Sequence, residues 1–331
     1  MKFKETLGID VSKKTIDVSL HLTSAVHKFD NSVKGFKSLL IWMKKQTGLS
    51  QDRVLICFEH TGLYSLPLAA FLTEQKAIYC IEPALQIKRS LGLVRGKNDI
   101  VDAKRIAEYA YLRREQLKPF ELPSMKVLKL QKLLSLRERM VKQRAGYSAS
   151  KTEYKLFLKQ KDYESLFSIH NKMIHYLGKQ IDAIEKEIIT LIKSDEKMKV
   201  LYQLMVSIKG VGLVLSSNFL VSTNCFTAFK NSRKFACYAG IAPFQKQSGT
   251  SLNSKPRVSH YANKRLKTLL NLSASSAIQA DPELKSYYQN RIKRGKSKMS
   301  TLNIVRNKIV NRIFAVVSRG TPYVPLYQHV A

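Results

Sequence analysis

From residue 4 to residue 81 the chain alternates short apolar runs of strand length with stretches of helix length, and this alternation leaves few folds open. Lys4–Asp10 and Thr15–Leu22 read as two strands, and the second alternates apolar and polar side chains as a half-buried strand does. The polar Ser12-Lys13-Lys14 between them reads as a hairpin turn. A helix is expected over 34–47. Arg53–Phe58 is a short apolar run ending at Glu59, the pattern of a buried strand. His60-Thr61-Gly62 then turns the chain into a helix reaching about residue 75, and Ala77–Ile81 is another buried strand. Strands and helices in this order predict an α/β layer fold.

The strand signal stops near 122, and the composition changes again near 200. These two points suggest three segments, 1–122, 123–200 and 201–331. In the second, Leu177, Ile181, Ile184, Ile188 and Leu191 recur at spacings of four, three, four and three, a short heptad seam. Leu130, Leu133, Leu134 and Met140 give a looser stripe before it. A long helical hairpin is expected, with Gly146 and Ser148-Ala149-Ser150 as the break between its arms. The seam fits packing within one chain or between two. The third segment reads as mainly helical, with Lys246–Lys255 as a Ser- and Gly-rich loop.

Charge narrows the partners. The 331 residues hold 57 Lys and Arg against 24 Asp and Glu, a formal net charge of +33. Such a chain attracts polyanions, nucleic acid before an anionic membrane. The third segment is extreme, with 20 Lys and Arg against 2 acids, and is the first candidate for sustained phosphate contact. No apolar run reaches the roughly 18 residues of a spanning helix, and the N-terminus lacks a signal-peptide core. Cys57, Cys80, Cys225 and Cys237 form no close pair and read as core residues of a reduced, cytoplasmic protein.

The first segment keeps acids where acids are expensive. Asp10 and Glu59 each end an apolar strand, a costly place unless the carboxylate faces a ligand or the sheet edge. Asp99 and Asp102 stand three apart, on one face if helical. Four clustered carboxylates repel one another, and divalent cations offset that repulsion. Mg²⁺ prefers such hard oxygen ligands and often works as a pair about 3.5–4 Å apart in phosphoryl transfer. Taken singly, Asp10 also fits a turn cap, and Asp99 a helix N-cap with Asp102 completing a capping box. The set in strand–strand–helix order has the arrangement of an RNase H-like site.

Three blocks carry a specific resemblance: Gly8-Ile9-Asp10-Val11-Ser12-Lys13, Glu59-His60-Thr61-Gly62-Leu63-Tyr64, and Lys97-Asn98-Asp99-Ile100-Val101-Asp102-Ala103. They resemble the signature blocks of the IS110 family of transposases, which carries an Asp-Glu-Asp-Asp set on a RuvC-like domain. The resemblance implies that Asp10, Glu59, Asp99 and Asp102 are catalytic and bind Mg²⁺. His60 stands where family members often have Ala or Thr and is given no ligand role. Glu82-Pro83 replaces a common Asn-Pro, and Glu82 reads as a loop residue rather than a fifth ligand.

The third segment continues the resemblance. Ala239-Gly240-Ile241-Ala242-Pro243 followed by Ser248-Gly249 is similar to the family's C-terminal transposase domain and implies that Ser248 is the catalytic serine, with Ser251 a runner-up more suited to a DNA hydrogen bond. Where the family has Ser-Lys-x-Gly, this chain has Ser259-His260-Tyr261-Ala262-Asn263, with Asn263 able to adopt the left-handed turn. Read on its own, Ser207-Ile208-Lys209-Gly210-Val211-Gly212 fits either a helix-hairpin-helix contact to a DNA backbone, through Lys209, Gly210 and Gly212, or a plain turn between helices. Arg257, Lys264, Arg265 and Lys267 form one basic group; Arg291, Lys293, Arg294, Lys296 and Lys298 form another, followed by a helix with Arg306, Lys308 and Arg312. With acids almost absent nearby, these read as phosphate contacts.

The expectation is therefore an RNase H/RuvC-like N-terminal domain, a helical coiled-coil arm and a mostly helical C-terminal domain. The family implies cleavage and rejoining of DNA during insertion-sequence movement, an element-encoded bridge RNA, and a dimer or tetramer in which acids of one subunit meet the serine of another. Two other readings are a metal-dependent junction nuclease in which water attacks, and a nucleic-acid-binding protein without catalysis.

Overall fold

The structure, a computed structural model, describes residues 2–90, 98–229, 231–248, 252–259 and 261–325, with the backbone alone over 246–248 and 252–255. The chain divides into two compact units, residues 1–122 and 123–331, and the expected segments 123–200 and 201–331 both fall in the second.

The first unit is built on a five-stranded sheet of β1 (Glu5–Val11), β2 (Thr15–Leu20), β3 (Val26–Asp30), β4 (Val54–Glu59) and β5 (Tyr79–Glu82). The order across the sheet is β3-β2-β1-β4-β5; β1, β2 and β3 pair antiparallel, while β1, β4 and β5 run parallel. This is an RNase H-like sheet. The expected strands are all present; β3, which the sequence pattern did not announce, is an exposed edge strand. Glu82, expected in a loop, is the last residue of β5.

The period-two pleat sends successive side chains to opposite faces. Leu7, Ile9, Val18, Leu20, Ile56 and Phe58 face one side, where α1 (Val33–Thr47) and α2 (Leu66–Glu74) cover them with Phe36, Leu39 and Leu68. Leu55, Cys57 and Cys80 face the other, packed against Ile87 of α3 (Ala84–Ser90) and Ile106, Tyr109 and Ala110 of α4 (Asp99–Arg113). Gly8 lets α4 lie this close: a Cβ there would stand 2.2 Å from the Ala107 nitrogen and 2.3 Å from the Ala103 oxygen. Two residues earlier, the Thr6 hydroxyl donates to the Ala107 carbonyl at 2.8 Å. Helix α4 therefore runs along the β1 face that carries Thr6, Gly8 and Asp10.

The second unit opens with the helical hairpin of α5 (Met125–Phe157) and α6 (Glu164–Lys193). Leu177, Ile181, Ile184 and Ile188 are buried within the chain. Gly146 and Ser148–Ser150 do not break the arms: they lie inside α5, and the chain reverses between 158 and 163. Helices α7 (Glu196–Val206), α8 (Leu213–Ser222), α9 (Ser232–Tyr238), α10 (Lys264–Ala280), α11 (Pro282–Lys293) and α12 (Lys298–Arg319) complete the unit around a core that includes Phe219, Phe235, Leu270 and Ile309. Of the expected loop 246–255, residues 246–248 belong to β6 (Pro243–Ser248) and 252–255 to β7 (Leu252–Val258), which pair antiparallel, while 249–251 lie outside the described residues.

Candidate active site

The carboxylates gather where β1 and β4 end on the α4 face. Ile9 pairs with Phe58 in the parallel ladder, and Asp10 and Glu59 stand one step beyond. The first turn of α4 brings Asp99 and Asp102. The N-cap of that helix is Asn98, whose side chain accepts from the Ile100 N–H at 3.1 Å, so Asp99 is not spent on capping. Both acids lie at the positive end of the helix dipole. Nor does Asp10 cap the hairpin turn, which is closed by the Ser12 hydroxyl donating to the Thr15 carbonyl at 2.8 Å.

The four acids are coupled through space. Burial pushes the Asp10 carboxyl up to about 6, and the negative charges of Asp99, Asp102 and Asp17 add to the rise. Glu59 is raised by burial and by the charges of Asp10 and Asp102. Asp102 also accepts from Arg105 of the next helical turn at 2.8 Å. Among the described residues, no three His, Cys, Asp or Glu side chains converge tightly enough to form a ready-made metal cage. The donor set nonetheless has the chemistry of a divalent hard-cation site: four neighbouring carboxylates, with the raised proton affinities of Asp10 and Glu59 marking a local excess of negative charge.

Three neighbours surround the acids, of which Asp17 and Asn31 were not singled out from sequence and Glu82 was expected in a loop. Asp17 lies directly opposite Asp10 in the β1–β2 pair, on the same face, and is 2% exposed. Asn31, between β3 and α1, donates from its Nδ2 to the Ser12 carbonyl at 2.8 Å and to the Tyr64 carbonyl at 3.0 Å, linking the turn after Asp10 to the loop after Glu59. Glu82 accepts from the Tyr109 hydroxyl at 3.1 Å and is raised by burial. His60 is exposed.

In the second unit, Ser248 is the last residue of β6, in register with Leu252. Ser251, the runner-up, and His260 lie outside the described residues. The Ser207–Gly212 segment does join two helices, but its glycines differ. Gly210 has φ +88°, and a Cβ there would meet Ala277 of α10 at 2.7 Å, so its place is fixed by packing. The Ser273 hydroxyl donates to the Gly210 carbonyl at 2.6 Å, so that oxygen too is held by α10. Gly212 is the N-cap of α8 with open space beside it, and Lys209 is exposed. Asn263 is not left-handed: it has φ −70° and caps α10 by accepting from the Leu266 N–H at 3.1 Å.

The basic groups also separate. Arg257, Lys264, Lys293, Arg294, Lys296 and Lys298 are exposed, and Lys267 is half-buried. Arg265 is paired with Glu138 of α5 at 3.3 Å, and Arg291 lies on Tyr287 with its Nε donating to the hydroxyl at 3.2 Å. Two arginines of α12 are not phosphate contacts. Arg306 is buried and donates to Asn271 and Asn303. Arg312 binds Asp281 and Glu283, each at 2.6 Å. Among the described residues no helix is long and apolar enough to cross a membrane.

The chain is similar to several known proteins. Residues 7–160 match the DEDD transposase model of the IS110 type, and residues 202–289 match the model of the IS116/IS110/IS902 transposase family. A pilin gene-inverting protein of Moraxella bovis is 25% identical over 97% of this chain and 98% of its own length. An insertion element IS110 43.6 kDa protein of Streptomyces coelicolor is 32% identical over 43% of this chain and 34% of its own. Among solved structures, T. thermophilus RuvC in complex with a Holliday junction substrate is similar at 11% identity and a TM-score of 0.26, over 35% of this chain and 99% of that one. The matched blocks take in the strand ends and α4, which carry the acids, and the helices leading to and from the β6–β7 hairpin, so the chain belongs to the IS110 family of transposases.

Proposed function

We propose that this transposase cleaves and rejoins DNA by a serine-attack mechanism, with Asp10, Glu59, Asp99 and Asp102 holding Mg²⁺ and Ser248 as the nucleophile. The observation that carries the acid half is the mutual electrostatic coupling of acids from two strand ends and one helix start. Bound Mg²⁺ would neutralise charge on the scissile phosphate and orient its leaving oxygen. The serine half rests on the position of Ser248 after the Ala239–Pro243 block. In the step itself, Ser248 Oγ forms a bond to phosphorus while one of the two ester P–O bonds of the phosphodiester breaks. The hydroxyl proton leaves Oγ, and the departing deoxyribose oxygen takes up a proton. The resulting phosphoserine ester keeps the strand attached and ready for rejoining. Exposed Lys209, Arg257, Lys264, Lys293, Arg294, Lys296 and Lys298 bind phosphate, with Lys267 beside them; Gly212 offers backbone at a helix start.

In this reading the protein works in the cytoplasm as a homo-oligomer, a dimer or tetramer, in which acids of one subunit act with the serine of another, and an element-encoded RNA supplies sequence choice by base pairing. The test is to trap the adduct. Element DNA, Mg²⁺ and candidate RNA are incubated with the full chain, and a protein–DNA species surviving denaturation is sought. Its loss in Ser248→Ala together with cleavage supports the mechanism. Cleavage that persists in Ser248→Ala without an adduct establishes water as the nucleophile instead. Activities unchanged in Asp10→Ala and Asp102→Ala would leave only nucleic-acid binding.

A further inference from the structure

Asp17 is the most deeply buried acid near the site. Its partner across β2–β3 is Lys28, directly opposite in register, with Nζ 3.4 Å from Oδ2. Its partner across β1–β2 is Asp10. Residues directly opposite in antiparallel strands have Cβ atoms about 4.5–5.5 Å apart on one face. Lys28, Asp17 and Asp10 therefore form a row across three strands, positive, negative, negative, leading to the ends of β1 and β4. The lysine side chain is 56% exposed against 3% for the aspartate, so water weakens its hold on the buried charge. A buried carboxylate so placed adds little to folding that an apolar residue would not supply better. What it does supply is negative charge on the same face as Asp10, directly opposite it in register.

We propose that Asp17 is a positioning residue of the carboxylate site: an outer carboxylate, fixed by Lys28, that strengthens the site's hold on a divalent cation without coordinating it. The inference rests on the reading of Asp10 and its partners as metal ligands. Mg²⁺ retains several of its waters in protein sites, and a carboxylate one strand away acts on that water shell. Partners of this kind typically change metal affinity by 10–100-fold. The sign of the effect follows charge: removing Asp17 weakens binding, and removing Lys28 strengthens it.

The test is Mn²⁺ binding to the full chain, without nucleic acid, followed by calorimetry and by the electron paramagnetic resonance of the free ion. Asp17→Asn is expected to weaken binding about tenfold, and Lys28→Met to tighten it about two- to threefold, in proteins that still melt cooperatively. Wild-type affinity in Asp17→Asn overturns the inference, as does weakening of the same size in both variants, which a packing role would give. If Asp17→Asn does not fold, unchanged or weakened binding in Lys28→Met overturns it. Asp10→Asn separates the two levels. Wild-type Mn²⁺ binding there overturns the metal reading and this inference together. Loss of binding in Asp10→Asn beside intact binding in Asp17→Asn overturns the inference alone.

Discussion

Gly8 of β1 lies beneath Ala107 of α4 at a separation that no side chain could share, since a Cβ on Gly8 would fall 2.2 Å from the Ala107 nitrogen. That contact sets how deep α4 sits on the sheet, and so how near the acids of its first turn come to Asp10 and Glu59. Gly8→Ala must push the helix away or strain the strand. It is expected to cost about 2–3 kcal/mol, the range of overpacked cores, and to weaken Mn²⁺ binding in the fraction that folds. Urea unfolding with parallel metal titration measures both.

Asp10 gives a pH signature. Its folded-state carboxyl is raised to about 6, above the ordinary 3.8, so the folded protein binds this proton more tightly than the unfolded chain does. The stability it contributes is fully present below about pH 4 and is lost as pH rises through about 6. In chelator, Asp10→Asn should therefore stabilise the protein by about 1–2 kcal/mol at pH 7.5, after discounting for solvent screening, and by little at pH 4. Added Mg²⁺ should raise the melting temperature of the wild type but not of the variant.

Asn31 joins the loops that follow the two acid-bearing strands through one amide. Asn31→Ala removes both donors and should destabilise the fold by about 1–2 kcal/mol, the usual worth of two hydrogen bonds. DNA cleavage should fall further than that loss explains, at a protein concentration and temperature where the variant is fully folded. Retained cleavage in that variant would show that the loops keep their spacing unaided.

The basic side chains of the second unit should fall into two classes. Arg312→Ala strands Asp281 and Glu283 and is expected to destabilise the chain by about 2–3 kcal/mol, less than a fully buried pair would cost. Arg294→Ser with Lys296→Ser should leave the melting temperature unchanged while lowering DNA affinity. The slope of log K against log salt should fall by about 1–2, one phosphate contact or so per lost charge. Equal effects of the two variants on stability, or a salt slope unchanged in the second, would contradict this division.

Much of the first unit could be read in the sequence because its buried strands are written as apolar runs with an acid at the exit, as at Phe58-Glu59. Strand β3 escaped because an exposed edge strand has no buried face to imprint a pattern. Gly146 and Ser148 misled for another reason. Ser148 and Thr152 turn their hydroxyls back onto the Arg144 and Ser148 carbonyls at 2.9 Å, which lets polar residues continue a long exposed helix. Asp10 and Glu59 were visible one at a time. The alignment of Asp17 with Asp10 depends on a hairpin register that composition does not reveal, although pairing Val11 with Ile16 across the Ser12–Lys14 turn would have predicted it. Arg306 and Arg312 resemble their free neighbours in sequence, because their partners lie on α10 and at the start of α11.

The pairing of Arg312 with both acids of residues 201–331 has a consequence for handling the molecule. Asp281 also caps α11, accepting from the Glu283 and Leu284 N–H groups. Neither carboxylate is left over to offset a neighbouring lysine, so the rest of that stretch must borrow its counter-ions. Stripped of polyanions in dilute buffer, such a protein will cling to glass, resin or any passing nucleic acid.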